Sequence, residues 1–328
     1  HLYNPEEAAT ILDAAGFTQG STPNPNYDPL RPGSAQFMRV YPIGHEKSGQ
    51  NIDPLIFYVR HDDANRYATA CMIRDELLSV GIPVTIPGPI KIQLIQNKIM
   101  DEHDYHLYTG GWYLSILTDY LYSIYHSDFY WYPGRCYNYN HVSEEELDYW
   151  LDKLYYAADY DTARTACFNA QARLAEIVGV VPLWCPTSVG AYRKDSQRAP
   201  LGWTGVVNQN CEGVDSLWTF LNIHQNGFEE GGVINFGLYS PTGGGLNPID
   251  ADWAGEAAVL SKIYETLLTY EPNGLSLMPW LAEDFEVGSW FNGDVGTNCT
   301  KLLFHFSDNI LWHDGTPFTS ADVEFTIN

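Results

Sequence analysis

Positive charge is scarce in this chain: 17 lysines and arginines stand against 41 aspartates and glutamates, a formal net charge of -24 over 328 residues. So acidic a surface repels phosphate backbones and anionic lipid headgroups, which makes nucleic acid a poor partner. Long apolar runs are missing too, and none approaches the roughly 18 residues needed to cross a bilayer. The six cysteines (Cys71, Cys136, Cys167, Cys185, Cys211 and Cys299) include no C-x-x-C pair, which argues against a zinc ribbon or a thioredoxin-type site. Their state stays open between disulfides, which an extracellular address permits, and buried free thiols. Catalytic signatures are also lacking: there is no G-x-S-x-G elbow, no H-E-x-x-H and no phosphate-binding G-x-x-x-x-G-K-[ST]. Gly243-Gly244-Gly245 reads as a turn after Pro241. His103 with His106, and His305 with His313, read as surface or capping residues. We therefore expect no catalytic residue, no cofactor and no metal site.

What the chain does hold is core material, 45% hydrophobic, enough for two or more lobes. Helices and short strands alternate along it. Asn4 caps a first helix, with Pro5 at its first position and Gly16 past its end. Asp62 or Asp63 opens a second helix that Gly81 stops, and Ile82 to Ile86 reads as a strand. Ser143 and Glu146 form a capping box before Leu147, Trp150, Leu151 and Leu154. Asp161 caps the next helix, Gly179 ends it, and Val180 to Trp184 reads as a strand. Thr319 and Asp322 repeat the cap pattern near the end of the chain. Interleaved helices and strands of this kind predict an α/β fold.

The chemical lead is a run of rings between Gly110 and Tyr139, among them Trp112, Tyr113, Tyr120, Tyr122, Tyr137 and Tyr139. Such rings combine flat apolar faces with polar edges, which suits sugar rings and peptide side chains at a cleft; the same rings also fill cores.

The stretch from Trp312 to Val323, Trp-His-Asp-Gly-Thr-Pro-Phe-Thr-Ser-Ala-Asp-Val, resembles the opening signature of family 5 extracellular solute-binding proteins, which feed ABC importers. Three blocks before it resemble the family in the family's order: Ile263 to Leu268, Pro279 to Phe285, and Thr300 to Phe306. The earlier part of the chain resembles the other end of the same family. Tyr3 to Phe17 is similar to the helix that opens the C-terminal lobe, and Leu201 to Ile223 is similar to the closing segment. A fresh start follows at Gly231-Gly232-Val233. The resemblance thus implies the back of one module followed by the front of another, with neither module whole.

Several expectations follow from that resemblance. The fold would be the two-lobed, periplasmic-binding-protein-like (type II) architecture, incomplete and out of the usual order. Residues 1–200 would form a C-terminal ligand-binding lobe, 201–231 a closing segment and linker, and 232–328 the opening of an N-terminal lobe. Segments 201–223 and 232–266 would pack into one lobe, within a chain or between chains. In the family a Gly-Trp pair begins the cleft-lining segment, and Gly111-Trp112 match it. Peptide-binding members carry an Asp three residues later; here that position is Ser115 and the nearest Asp is Asp119. This departure favours a neutral oligosaccharide over a peptide. Leu246-Asn247-Pro248 occupies the place of a strand end bordering the cleft. The ligand-binding candidates are Trp112, Tyr113, Asp119, Tyr120, Asn247 and Trp253. The implied protein is not an enzyme; it captures an oligosaccharide or oligopeptide and delivers it to an ABC permease in the membrane. It would work outside the cell or at its surface, with membrane anchoring, if any, supplied by a part not in this chain. The alternative is a self-assembling surface or filament protein built from such lobes.

Overall fold

Helix α1 (Pro5–Ala14) starts where the sequence places it: the Asn4 side chain accepts the Glu7 N–H at 3.1 Å, and Pro5 occupies the first turn, where its missing N–H costs nothing. The computed structural model describes residues 3–88, 97–112, 118, 120–130, 137–185, 187, 189–194, 202–209, 213–230, 233–238, 245–249, 251, 254–273, 276–293 and 296–327. Over these the architecture is mixed α/β, in two compact units.

The first unit comprises His1–Trp112, Asp119–Tyr155 and Arg164–Val180. Strand β1 (Gln19–Pro23) pairs antiparallel with β2 (Phe37–Arg39). Arg39 turns a wholly buried side chain into the space between α1 and helix α2 (Ala64–Ser79). Its Nε donates to the Val80 carbonyl at 2.7 Å, and its Nη1 lies 2.6 Å from Asp13 and also donates to the Phe17 carbonyl. A buried guanidinium survives only when its donors are matched in this way. Helix α2 is capped by Asp63, whose carboxylate accepts the N–H groups of Asn65 and Arg66.

Strand β3 (Leu55–Tyr58) lies between two parallel neighbours, β4 (Val84–Thr85) and β5 (Leu107–Tyr108), giving the order β4-β3-β5. Phe57, Val59 and Ala70 form a buried cluster between this sheet and α2, and Tyr58 with Ile99 forms another. The strand expected over Ile82 to Ile86 is thus only two residues long.

The remainder of the unit is helical. Helix α3 (Tyr120–Tyr125) packs on α4 (Glu145–Tyr155), which buries Leu147, Leu151 and Leu154 along one stripe. The expected cap at Ser143 is displaced by one residue: the Glu144 carboxylate accepts the Leu147 N–H at 2.8 Å. Helix α5 (Tyr160–Ile177) is capped by Asp159, bonded to Thr162 at 2.8 Å, rather than by the expected Asp161, which lies in its first turn. It ends at Val178, in the left-handed region at φ 53°, one residue before Gly179. The strand expected over Val180 to Trp184 does not form; these residues are irregular and exposed, and among the described residues no strand pairs with them.

The second unit comprises Tyr113–Thr118, Tyr156–Ala163 and Val181–Asn328. The Trp203 N–H, at the start of β6 (Trp203–Thr204), donates to the Arg193 carbonyl at 2.9 Å. Strand β6 pairs with β7 (His224–Gln225) on either side of helix α6 (Leu217–Asn222). A β-carbon on Gly205, at φ +78°, would fall onto the Asn222 carbonyl, so only glycine fits there.

Segments 201–223 and 232–266 meet within the one chain. Phe236 sits edge-on to Phe220 at 5.4 Å, and Lys262 lies over the Phe220 ring at 5.3 Å. Helix α7 (Ala254–Leu260) leads to β8 (Leu268–Tyr270), paired with β9 (Leu277–Pro279). A long antiparallel ribbon follows, β10 (Ala282–Asn292) with β11 (Thr297–Phe306). Its register pairs Phe285 with Phe304 and Val287 with Leu302 on one face, and Asp284 with His305 on the other. The Trp312 to Pro317 motif is a turn: Gly315 adopts φ +84°, the Asp314 carboxylate accepts the Thr316 N–H at 2.9 Å, and Trp312 packs edge-on to Phe318. It leads into α8 (Ser320–Ile327), where the Asp322 carboxylate accepts the Thr319 N–H at 2.7 Å. Among the described residues no helix is long and apolar enough to cross a membrane.

Candidate functional site

The order β4-β3-β5 sends the chain from β3 to one neighbour and then back across to the other. In open parallel sheets ligands bind beyond the carboxyl ends of the strands where the chain changes its direction of travel. Among the described residues, two of the loops at that end come together. One leaves β3 through Arg60 and Asp62, a bidentate pair at 2.9 and 2.5 Å, and enters α2. The other leaves β5 as Thr109-Gly110-Gly111-Trp112.

Arg66, in the first turn of α2, joins the two. Its Nε lies 3.1 Å from Asp63 and its Nη1 donates to the Thr109 carbonyl at 3.5 Å. The guanidinium occupies the space that a β-carbon on Gly111 would need. Glycine at 111 is therefore a demand for room, set by an arginine that no local sequence pattern connects to it. Beneath, burial pushes the Tyr108 hydroxyl above the usual tyrosine range.

Trp112 stacks on Tyr139, with ring centroids 5.2 Å apart and planes 13° from parallel, and meets Tyr137 at 6.5 Å. The backing is firm. Tyr139 packs against the core pair Tyr58 and Ile99, and the Tyr105 hydroxyl donates to its carbonyl. Next to it, the wholly buried Asn138 donates to the carbonyls of His126 and Val142 at 3.2 and 2.7 Å and accepts the Val142 N–H. Trp112 itself keeps 42% of its surface exposed. The arrangement is a flat, supported, half-open aromatic wall beside a guanidinium, suited to holding a ring or an apolar side chain.

Of the other sequence candidates, Tyr113, Asp119 and Trp253 lie outside the described residues, as does Ser115. Tyr120 stands in α3 near Cys167 of α5, its hydroxyl raised in pKa by burial first and by that thiol second. Among the described residues no ring contact joins it to Trp112. Asn247 belongs to the second unit, where its exposed side chain accepts the Ile249 N–H at 3.2 Å, an Asx turn. Two residues of the wall were not singled out from sequence. Tyr139 belongs to the visible aromatic run, but its pairing with Trp112 has no local signal; Arg66 has none at all. Cys71, Cys167, Cys185 and Cys299 are free thiols. Among the described residues no group of three or more His, Cys, Asp or Glu is placed to hold a metal ion.

No family model and no curated protein matches the sequence. Solved structures similar to the chain include a periplasmic oligopeptide-binding protein of an ABC transporter from Thermotoga maritima with bound mannohexaose. The likeness has TM-score 0.48 and 17% identity, covering 69% of this chain and 40% of that one. The oligopeptide-binding protein AppA from Bacillus subtilis, in complex with a nonapeptide, is similar at TM-score 0.42 and 19% identity, covering 54% and 30%. NikZ from Campylobacter jejuni, in complex with Ni(L-His), is similar at TM-score 0.40 and 16% identity, covering 53% and 30%. The chain therefore spans well under half the length of each.

Proposed function

We propose that this chain is part of an extracellular solute-binding protein that captures a neutral oligosaccharide or an oligopeptide for an ABC permease, with the Trp112 wall as one side of the solute cleft. The observation that carries the reading is the half-exposed Trp112 stacked on a core-anchored Tyr139, beyond the carboxyl end of a parallel strand. A wall fixed before the solute arrives loses little freedom on binding, which favours affinity. The four ordered sequence blocks from Ile263 to Val323 support the same reading. Ser115 in place of an acidic residue favours the oligosaccharide.

A thermal-shift comparison tests this, because a solute that binds only the folded state raises its melting point. Mannohexaose and a nonapeptide serve as probes, each against the unaltered protein and Trp112→Ala. Stabilisation by mannohexaose that the variant loses is expected, a loss of about 1–3 kcal/mol in binding. Stabilisation by the nonapeptide alone would reverse the solute class, and equal shifts in both proteins would remove Trp112 from the site.

A further inference from the structure

Behind the aromatic wall lie two histidines whose geometry the solute-binding reading does not use. His103 and His141 both hold the left-handed backbone region, at φ 53° and 51°, which side-chain-bearing residues seldom occupy. Their rings approach to 4.0 Å between centroids, tilted by 58°. Tyr130 closes one side of His141 at 4.9 Å and Tyr105 another at 5.9 Å. Tyr105 is also the residue whose hydroxyl holds the Tyr139 carbonyl, and Tyr139 carries Trp112. His141 is thus two contacts away from the wall.

The Nε2 atom of His141 is buried and has no hydrogen-bond partner among the described residues. A neutral ring tolerates this with its lone pair in an apolar setting. A proton there would create a buried N–H cation with no acceptor among the described residues. Among the described residues, the ionisable groups that face His141 from the packed segments are His103, Tyr105 and Tyr130. Among the described residues His141 forms no ion pair with a carboxylate. Burial first, and His103 second, hold its pKa below the usual histidine range.

We propose that the His103–His141 pair is a proton-operated latch on the Trp112 wall. With both rings neutral, the pair holds Tyr105, and through it Tyr139 and Trp112, in the stacked arrangement. A proton taken from solvent onto His141 Nε2 leaves a cation that only water can solvate, which draws the ring out of its seat and loosens the wall, so that solute is held at neutral pH and let go in acid. The consequence for solute rests on the reading of Trp112 given above; the latch itself does not.

The test needs no solute. The difference in fluorescence between the full chain and its Trp112→Phe variant isolates the emission of one indole. Between pH 7.5 and 5 that difference spectrum is expected to shift to the red as Trp112 leaves Tyr139, with the shift abolished in His141→Phe. Should that variant fail to fold, His103→Phe removes the neighbouring imidazole, and the midpoint is expected to move to higher pH. A difference spectrum that stays constant over this range, or that shifts equally with His141 replaced, would overturn the latch. A shift that depends on His141, in a protein that no probe stabilises, would uphold the latch and sink the solute reading alone.

Discussion

The indole of Trp218 donates its N–H to the carbonyl of Tyr270 at 3.0 Å and meets the ring of Trp280 edge-on at 5.6 Å. This one side chain fastens the segment resembling a family's closing part to the segment resembling its opening part. Trp218 is half-buried rather than fully enclosed. Replacing it with Phe keeps most of the ring but leaves the carbonyl unpaired, at a cost of about 1–3 kcal/mol. Hydrogen exchange should show faster opening at 217–223 and 268–270 in the variant. Unchanged protection at both segments would mean that the bond contributes nothing to holding them together.

Arg39 supports the first unit in a different way. Its buried guanidinium satisfies the carbonyls of Val80 and Phe17 and the carboxylate of Asp13. Arg39→Met fills a similar volume without those donors and is expected to destabilise this unit by about 1–3 kcal/mol, because buried carbonyls lose their donor while the half-exposed Asp13 keeps its water. Urea unfolding followed by far-ultraviolet circular dichroism would measure it.

Local signals in the sequence were enough to place the ends of several helices. Asn4 with Pro5, Asp63, and Thr319 with Asp322 act through atoms within a turn of themselves, so their effect is written in adjacent residues. The cap of α4 was misplaced by one residue and that of α5 by two. Several acidic or hydroxyl residues stand together at each start, and packing of Leu147, Leu151 and Leu154, not capping strength, fixes the register. At the candidate site, Gly111-Trp112 stands out as a pair in the sequence, whereas the residues that contact it do not. Arg66 and Tyr139 reach Gly111 and Trp112 from distant parts of the chain, through contacts that only the folded sheet creates. The short strands fail as sequence signals for the same reason, since two-residue pairings such as β4 carry no periodicity.

The ribbon offers a pH test. Across its polar face Asp284 lies against His305 and raises the pKa of that imidazole, through the hydrogen bond first and charge second. A folded-state pKa above the unfolded value of about 6.5 means that the pair's contribution is complete below that pH. It is lost as pH rises through the higher folded value. Histidine ring proton resonances should titrate above the usual range in the unaltered chain and return towards it in Asp284→Asn. Added salt should shrink the difference, as both groups are exposed.

Gly111 and Arg66 are expected to behave as a unit. Gly111→Ala pushes against the mobile end of a side chain, so folding should tolerate it with a loss below about 1 kcal/mol. The guanidinium must then leave the Thr109 carbonyl, and the Trp112 wall moves with the loop. On the proposed reading of the wall, solute affinity should fall in Gly111→Ala and in Arg66→Ala, and the double variant should fall no further. Such coupling between neighbours is typically about 0.5–3 kcal/mol in a double-mutant cycle. Additive losses would show that the two residues act separately.

The β10–β11 ribbon has a practical consequence at the bench. Val287, Phe291 and Leu302 are each more than half exposed on its apolar face, and a paired strand with open edges is a template for further pairing. In concentrated stocks this face will adsorb hydrophobic dyes, plastic surfaces and other unfolded chains, even though the strong negative charge keeps molecules apart at low salt. Precipitation should therefore be provoked by raising ionic strength, as screening removes the repulsion and leaves the sticky face unopposed. Storage in dilute, low-salt buffer, or Val287→Thr with Phe291→Lys, would keep the protein in solution without touching the Trp112 wall.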